Sequence, residues 1–454
     1  MRVGFLCVVL GLANTTVLAQ TTAGDAAGAT PSSESTENAE YSLKDNPVSS
    51  SEDRIGPAVS APSYGLSGSG FRTTRRSDDY ILTAPPPDHG APIKTEGGIF
   101  FYPSVFLAVG NNDNVLASTD NPKKSSFLNT SPAVVGELKT HGDRYTVAAA
   151  LNDMAYRDSS ADNFLNHDIR FAGDNYFSSR ARMGWSVGHI GSIDPRGSTQ
   201  RTLSENPDRW HAEVAEGRFL YGAPGATGRF EFDVNYVAKR YDNNRTITEV
   251  ADVDRSEAGG RFYYRVGTRT MAFAEARQTD YDYKSALSGE DNTERRYYLG
   301  VAWEATAATV GTIKLGRLNK DFKQAGRSDF SGGSWEAAVR WLPLTYSAVD
   351  FSTSRQASDA TGYGDYLVNT EATVAWSHKW TSYVVSRLSF DSMKSRFAGT
   401  DRVDTLHTVH ATANYDLLRW MTVGVDYAHM NRSSNTVGAP YNRNIVMLTL
   451  NLTL

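Results

Sequence analysis

The chain of 454 residues has one cysteine, Cys7, and no long apolar run beyond its first twenty residues. A single cysteine excludes an internal disulfide. Because Cys7 lies in a segment that we expect to be removed, the mature chain has no thiol for catalysis or metal binding. Bundles of membrane helices are also excluded, since each helix needs about 20 consecutive apolar residues.

The chain also has no large excess of one sign of charge, with 46 basic residues against 51 acidic ones and a net charge of -5. No basic cluster marks a nucleic-acid surface, and we expect no nucleic-acid partner. Proline is scarce at 16 residues, whereas 23 Tyr, 19 Phe, 8 Trp and 38 Gly are present. This composition favours β structure.

The first nineteen residues have the order of a secretory signal peptide. Arg2 is followed by an apolar core at residues 5–12, and Val17, Leu18 and Ala19 precede Gln20. We expect residues 1–19 to be cleaved between Ala19 and Gln20, which places the mature chain outside the cytoplasm. The alternative, an N-terminal membrane anchor, requires a longer apolar core.

Residues 230–241 alternate strictly between apolar and polar side chains. Phe230, Phe232 and Val234 take one face of a strand, and Glu231 and Asp233 take the other. Segments of this type recur to the end of the chain, at residues 98–111, 125–140, 144–157, 164–177, 181–193, 210–221, 229–241, 257–267, 270–283, 294–304, 309–322, 333–341, 345–355, 365–377, 380–392, 404–415, 419–431 and 441–454.

These eighteen segments are mostly longer than the ~5–6 residues of soluble strands and match the roughly 9–11 residues that cross a bilayer. Short connections such as 141–143 and 267–269 alternate with long polar ones such as 194–209 and 242–256. The pattern predicts, for residues 93–454, an all-β fold: an antiparallel transmembrane β-barrel of about eighteen strands with short periplasmic turns and long extracellular loops. Tryptophans near strand ends predict interfacial girdles in contact with outer-membrane lipid, formed by Trp210, Trp303, Trp335, Trp341, Trp376, Trp380 and Trp420.

Residues 20–92 are rich in Ser, Ala, Thr, Gly and Pro, and such a segment buries too little apolar surface to fold alone. We expect a disordered, low-complexity segment, with three roles left open: a solvated linker, a plug inside the barrel, or a periplasmic tether.

The chain combines a signal peptide, a low-complexity segment and a barrel whose last strand carries Arg443-Asn444-Ile445-Val446-Met447-Leu448-Thr449-Leu450-Asn451-Leu452. With these features it resembles one known family over residues 95–454. It is the outer-membrane β-barrel porin family found in bacterial exopolysaccharide synthesis and export clusters. The resemblance implies a location in the bacterial outer membrane, passage of a polysaccharide, and periplasmic export components as partners. Such barrels often end in an aromatic residue, whereas this chain ends in Leu454.

Groups that carry catalysis are scarce. His407 and His410 lie on opposite faces of one strand, so they cannot share a metal ion. His211 lies near Asp208 and Glu205, a grouping that we interpret as solvated loop residues. The sequence therefore predicts no catalytic residues, no cofactor and no metal site, and a protein that is not an enzyme.

The polar face of the strands predicts the lining of the lumen. It carries both signs of charge together with tyrosine and asparagine, which suits a hydrated neutral or weakly charged solute such as a sugar chain. The alternative is that these charges pair across neighbouring strands and only keep the wall polar. The predicted lining consists of Asp168, Arg170, Glu231, Asp233, Asn235, Lys239, Arg261, Tyr263, Arg265, Arg296, Tyr298, Glu304, Glu336, Arg340, Glu371, His410, Asn414 and Asp426.

The sequence thus predicts an outer-membrane channel for a polysaccharide or oligosaccharide. The alternatives are a general diffusion porin and, third, a barrel enzyme that acts on lipid or polysaccharide. A porin should fold one long loop inward, whereas an export pore would use residues 20–92 or a periplasmic partner as its gate. For the plug, we hypothesise contacts of Arg72, Arg75 and Arg76 with Glu231, Glu304, Glu336 or Glu371.

Overall fold

The computed structural model describes residues 82, 92–198, 201, 204–223, 225–306, 309–360 and 362–453. The predicted signal peptide, and residues 20–92 apart from Leu82 and Pro92, lie outside this range. No helix in the described residues is long and apolar enough to cross a membrane. Helical structure there consists of α1 (Arg245–Thr248) and single 3-10 turns at Ser160–Asp162 and Glu249–Ala251.

The described residues contain one short strand and eighteen long ones, in the order β1 (Ile93–Lys94), β2 (Ile99–Asn112), β3 (Ser125–Thr140), β4 (Asp143–Tyr156), β5 (Phe164–Tyr176), β6 (Ala181–Asp194), β7 (Asp208–Tyr221), β8 (Gly228–Tyr241), β9 (Val253–Gly267), β10 (Thr270–Tyr283), β11 (Asn292–Thr306), β12 (Thr309–Phe322), β13 (Phe330–Leu344), β14 (Ser347–Asp359), β15 (Tyr366–Lys379), β16 (Val384–Phe397), β17 (Val403–Leu418), β18 (Met421–Ser434) and β19 (Tyr441–Thr453).

Strands β2 to β19 form a closed antiparallel barrel. Each strand pairs with the next along the chain, and the last strand, β19, pairs with β2 from Ile445 opposite Asn112 to Thr453 opposite Ser104. Because the sheet closes, the ladder leaves no open edge, as a structure surrounded by lipid requires. The predicted eighteen-stranded transmembrane barrel is confirmed.

The connections differ at the two ends of the barrel. At the end that we call the turn end, tight connections such as 141–142, 268–269 and 419–420 join the strands. The opposite, loop end carries the longer connections, among them 113–124, 195–207 and 242–252. Strands of 13 to 16 residues exceed the roughly 9–11 needed to span the bilayer, so the barrel wall extends beyond the hydrocarbon layer.

Burial in the barrel wall is the reverse of that in a soluble protein. In β8, Val234 is 44% exposed on the outer face, whereas Glu231 is 2% exposed on the inner face. Other strands repeat this alternation, with Leu299 and Val374 exposed and Arg296 buried. A wall that is apolar outside and polar inside is what a bilayer and an aqueous lumen together select.

The tryptophans of the predicted girdle concentrate at the turn end. Trp341, Trp376, Trp380 and Trp420 are exposed there, and Trp303 is half-buried near the same end. Trp335 is half-buried in the loop half of β13, where its indole N–H donates to the Thr353 hydroxyl at 3.3 Å.

Trp210 is a correction to the predicted girdle. It is 6% exposed, with its indole N–H donating to Asp194 at 3.0 Å and the Lys239 ammonium 4.4 Å from its ring. Its position in β7 is on the inner face with Ala212 and Val214, because side chains two residues apart share a face. Trp210 therefore packs inside the barrel wall and does not contact lipid.

Candidate functional site: inner wall and mouth of the barrel

The predicted lumen residues whose side chains are described fall on the inner face of the strands. Asp233, Asn235, Arg265 and Glu371 are half-buried, and nothing is described of the Glu304 side chain. The rest are buried against their neighbours: Asp168, Arg170, Glu231, Lys239, Arg261, Tyr263, Arg296, Tyr298, Glu336, Arg340, His410, Asn414 and Asp426.

One chain of ion pairs crosses the inner wall from β8 to β13. Arg261 contacts Glu231 at 3.3 Å and Glu275 at 2.5 Å, which joins three adjacent strands. Lys314 then contacts Glu275 at 3.2 Å and Glu336 at 3.1 Å. Acidic and basic groups alternate along this row, so their charges offset one another within the wall.

Two further networks also pair acidic with basic groups across the strands. The Lys320 ammonium, which is completely buried, lies 2.6 Å from Asp359 and 3.4 Å from Glu294. Asp350 accepts from Arg340 at 2.6 Å and from Arg387 at 3.3 Å. Charges therefore pair across neighbouring strands and hold the wall polar, as the alternative weighed from the sequence requires, and a paired wall can still hydrogen-bond to a hydrated solute.

The sector from β15 to β18 is acidic. Asp391 accepts hydrogen bonds from Thr373 at 2.7 Å and Ser389 at 3.3 Å, and Asp426 lies 2.8 Å from His410 Nε2. In the described part of the chain, neither Glu371 nor Asp391 forms a salt bridge with lysine or arginine. This side of the lumen therefore carries the less compensated negative charge.

At the loop end, residues 195–198 bend over the mouth of the barrel. The Gly197 carbonyl accepts from Arg432 of β18 at 2.8 Å, although the loop starts from β6 and strands β19 and β2 to β5 separate β6 from β18. Arg196 anchors the loop through Asp162 at 2.8 Å and the carbonyl oxygens of Ser204 and Glu205 at 2.6 and 2.8 Å. The connection thus folds inward.

The connection 113–124 narrows the same mouth. Val115 is buried in an apolar cluster with inward-facing Phe106, Met154 and Ile445. The Arg443 guanidinium donates to the Asn114 carbonyl at 2.7 Å, which ties the connection to β19. Apolar packing and a buried arginine therefore hold this connection inside the rim.

Between these connections lies a cavity of about 220 Å³ lined by Arg196, Arg201, Arg402, Arg432, Asp194 and Asp208. Arg402 and Arg432 both bind the carboxylate of Asp404, and Arg201 binds both Asp194 and Asp208. Guanidinium groups present fixed donors in one plane, which suits carboxylate, phosphate and sugar hydroxyl oxygens. The mouth can therefore contact a polar solute at a defined place.

Sequence reasoning missed these mouth arginines. Loop arginines look like solvated charges in a sequence, and only the chain path from β6 to β18 brings Arg196 near Arg432. The available signal was the notable length of the connection 195–207 and its three charged residues, Arg196, Arg201 and Glu205, with Asp208 adjoining it.

Solved structures similar to the chain are outer-membrane barrels. OccK2 (OpdF) of Pseudomonas aeruginosa, in complex with glucuronate, is 9% identical, covering 80% of this chain and 100% of its own, with a TM-score of 0.48. OccK3 (OpdO) of the same organism is 11% identical over 78% of this chain and 96% of its own, with a TM-score of 0.46. A bacterial polysaccharide outer membrane secretin is 11% identical over 78% and 98%, with a TM-score of 0.40.

No curated protein matches the sequence. The family model described as Putative beta-barrel porin 2 matches residues 91–454, which is most of the chain and contains every strand of the barrel. The chain belongs to this family of outer-membrane β-barrel porins.

Proposed function

We propose that this outer-membrane channel passes saccharide chains, either an oligosaccharide or a polysaccharide leaving the cell. The observation that carries the proposal is the inner wall, where alternating charges are paired and tyrosine and asparagine lie among them. Paired charges bind an ionic solute weakly, because their fields cancel, yet they still hydrogen-bond to hydroxyl groups. A hydrated neutral chain therefore fits this wall better than a small ion does.

A specific observation favours the second candidate, a general diffusion porin. Residues 195–198 fold across the mouth and reach β18, as a porin constriction would. A constriction of this kind limits solute size and disfavours a long chain. The mouth cavity of about 220 Å³ is suited to a single small solute unit.

Current recordings from the full-length protein in planar bilayers distinguish the two candidates. We expect linear glucose oligosaccharides to block the open channel reversibly, with a block that saturates and becomes longer as sugar units are added. Polyethylene glycols of matched hydrodynamic radius should not give a saturating block. Equal, non-saturating reductions with both polymers would favour a diffusion porin. Absence of any conductance in both the full-length protein and the assembled variant lacking residues 21–92 would contradict both candidates.

Occlusion of the lumen by residues 20–92 is part of the proposal. Its support is the backbone N–H of Leu82, which donates to the inward-facing carboxylate of Asp174 at 2.8 Å, inside the wall of β5. Glu231 and Glu336 are already paired with Arg261 and Lys314, so that Glu371 is the freer acid among those whose side chains are described.

Deletion of residues 21–92 behind the signal peptide tests the occlusion. The deletion should raise single-channel conductance and cell sensitivity to bulky antibiotics while the barrel still assembles. Unchanged conductance in an assembled barrel would instead make the segment a periplasmic tail or tether.

A further inference from the structure

Three histidines come together on the outer face of the barrel near its loop end. His167, His189 and His211 lie on the neighbouring strands β5, β6 and β7. Their rings are stacked, with centroids 5.1 Å apart for the first pair and 6.0 Å apart for the second. Sequence analysis treated His211 as a solvated loop residue, because the strand register that unites the three was not visible in it.

Gly191 makes room for this arrangement. The register places it opposite both His167 and His211, one on each neighbouring strand. A Cβ atom at position 191 would lie 2.1 Å from His167 Cε1, so the imidazole occupies the space of the missing side chain. His167 therefore leans over β6 toward the other two rings, which a larger residue at 191 would prevent.

Carboxylates orient two of the three rings. Nδ1 of His189 donates to Glu213 at 2.7 Å, and Nδ1 of His211 donates to Asp242 at 2.6 Å. Each bond fixes the tautomer that carries its proton on Nδ1, which leaves the Nε2 lone pair available. Imidazoles that bind metal ions have this same support, a carboxylate on the nitrogen that does not face the metal.

We propose that His167, His189 and His211 form a binding site for one divalent transition-metal ion, with Zn²⁺ as the probe, through their Nε2 atoms. Imidazole suits zinc, copper and nickel, and three imidazoles leave one position for water or another ligand. The site lies on the outside of the barrel, apart from the lumen, and is independent of the proposed transport function.

The rings must tilt to bind. Among the described residues no three metal-ligating side chains already converge on one point, since parallel rings at these separations keep their nitrogens too far apart for Zn–N distances of about 2.0–2.1 Å. The imidazoles are free to tilt, because the His189 and His211 side chains are 40% and 39% exposed. The proposal therefore requires rotation about the side-chain bonds of the three histidines, so that their nitrogens converge on one ion.

Isothermal titration of ZnCl₂ into the full-length barrel, purified in detergent with its affinity tag removed, tests the site. We expect one ion per barrel, binding that weakens as the pH falls and the imidazoles take up protons, and at least a 100-fold loss of affinity in His189→Ala. His429→Ala is the matched control: His429 lies in β18 and bonds to Asn444 at 2.8 Å. This variant should bind zinc like the unchanged protein.

Two further variants keep all three histidines. Asp242→Asn removes a supporting carboxylate and should weaken zinc binding about 10–100-fold. Gly191→Ala places a methyl group against His167 and should weaken binding as well. Heat-modifiable migration in gels verifies that each variant is an assembled barrel. Failure of the unchanged barrel to bind zinc, or equal losses in the His189 and His429 variants, would overturn the proposal.

Discussion

We expect the loops above β10 to β15 to open at alkaline pH because of one carboxyl group, that of Glu290, whose side chain is only 12% exposed. Arg327 donates to its Oε1 at 3.3 Å and also to the carbonyl oxygens of Gly289 and Gly364 at 3.2 Å. A single guanidinium thus joins the connections 284–291, 323–329 and 360–365. Burial, and next the negative charge of Asp359, raise the pKa of Glu290 to about 8 from its ordinary 4.5, although Arg327 and Lys320 oppose the shift.

The direction of the effect follows from proton linkage. The pKa of Glu290 is about 8 when the loop cluster is closed and has its ordinary value of 4.5 when the cluster is open. Between these two pH values the closed cluster therefore holds a proton on Glu290 that the open cluster has lost. The closed state is therefore fully favoured below pH 4.5 and loses this advantage as the pH rises through 8. One proton changes the opening equilibrium by at most about tenfold per pH unit, which for pKa values of 4.5 and about 8 amounts to roughly 50-fold between pH 6 and pH 8.

Limited trypsin digestion of the assembled barrel measures this opening. When reclosing is faster than cleavage, the cleavage rate follows the population of the open state. We expect cleavage in the connections 284–291 and 323–329 to rise steeply with pH relative to Glu290→Gln, digested in parallel so that the pH dependence of trypsin cancels. Asp282→Asn, at an exposed acid paired with Lys284 in the same region, should keep the steep rise. An equal pH slope in the Glu290 variant would refute the reasoning.

Three other outcomes follow from the barrel. A cysteine at Leu287 of the loop end should react with an impermeant reagent on intact cells, whereas one at Thr268 of the turn end should not; the reverse pattern would invert the orientation. Val234→Arg should cost about 2–4 kcal/mol of barrel stability at the lipid face, whereas Asn235→Arg on the inner face should assemble normally. Lys320→Met removes the cation that is paired with buried Asp359 among the described residues, leaves Glu294 with Arg296 alone, and should cost about 3–5 kcal/mol in urea unfolding; a loss below about 1 kcal/mol would show that water already solvates Asp359.

The strands could be predicted because alternation of apolar and polar side chains is imposed by lipid on one face and polar groups on the other. The boundaries of the strands could not be predicted in the same way. The segment predicted at residues 380–392 is β16 at Val384–Phe397, because Trp380 and Tyr383 of the preceding turn continue the apolar pattern. At the loop end β14 runs to Asp359, beyond the predicted residue 355, since strand pairing continues above the membrane, where side chains no longer alternate in polarity.

The alternation of side chains with a period of two also predicted which residues face the inside of the barrel. Trp210 shows the value of this pattern. Its place at the start of a strand suggested lipid contact, but its spacing from Ala212 and Val214 puts it inside. The sequence could not predict two features of the structure. These are the contact of Gly197 with Arg432 at the mouth and the grouping of His167 with His211. Both depend on the exact register between neighbouring strands. A period-two pattern fixes which face each residue occupies, but a slip of two residues leaves the pattern unchanged.

The arrangement of charge gives the lumen two unlike sides. From β8 to β14 the wall alternates sign through pairs such as Arg261 with Glu275 and Arg340 with Asp350, whereas from β15 to β18 Glu371 and Asp391 form no salt bridge within the described residues. A field therefore points across the lumen toward the acidic side. We expect a small cation to remain longest there, and a neutral saccharide, attracted only through hydroxyl dipoles, to meet several weak sites along the wall. Conduction requires binding that is weak at each of several sites, and this requirement is the reason why we propose a neutral chain rather than an ion as the solute.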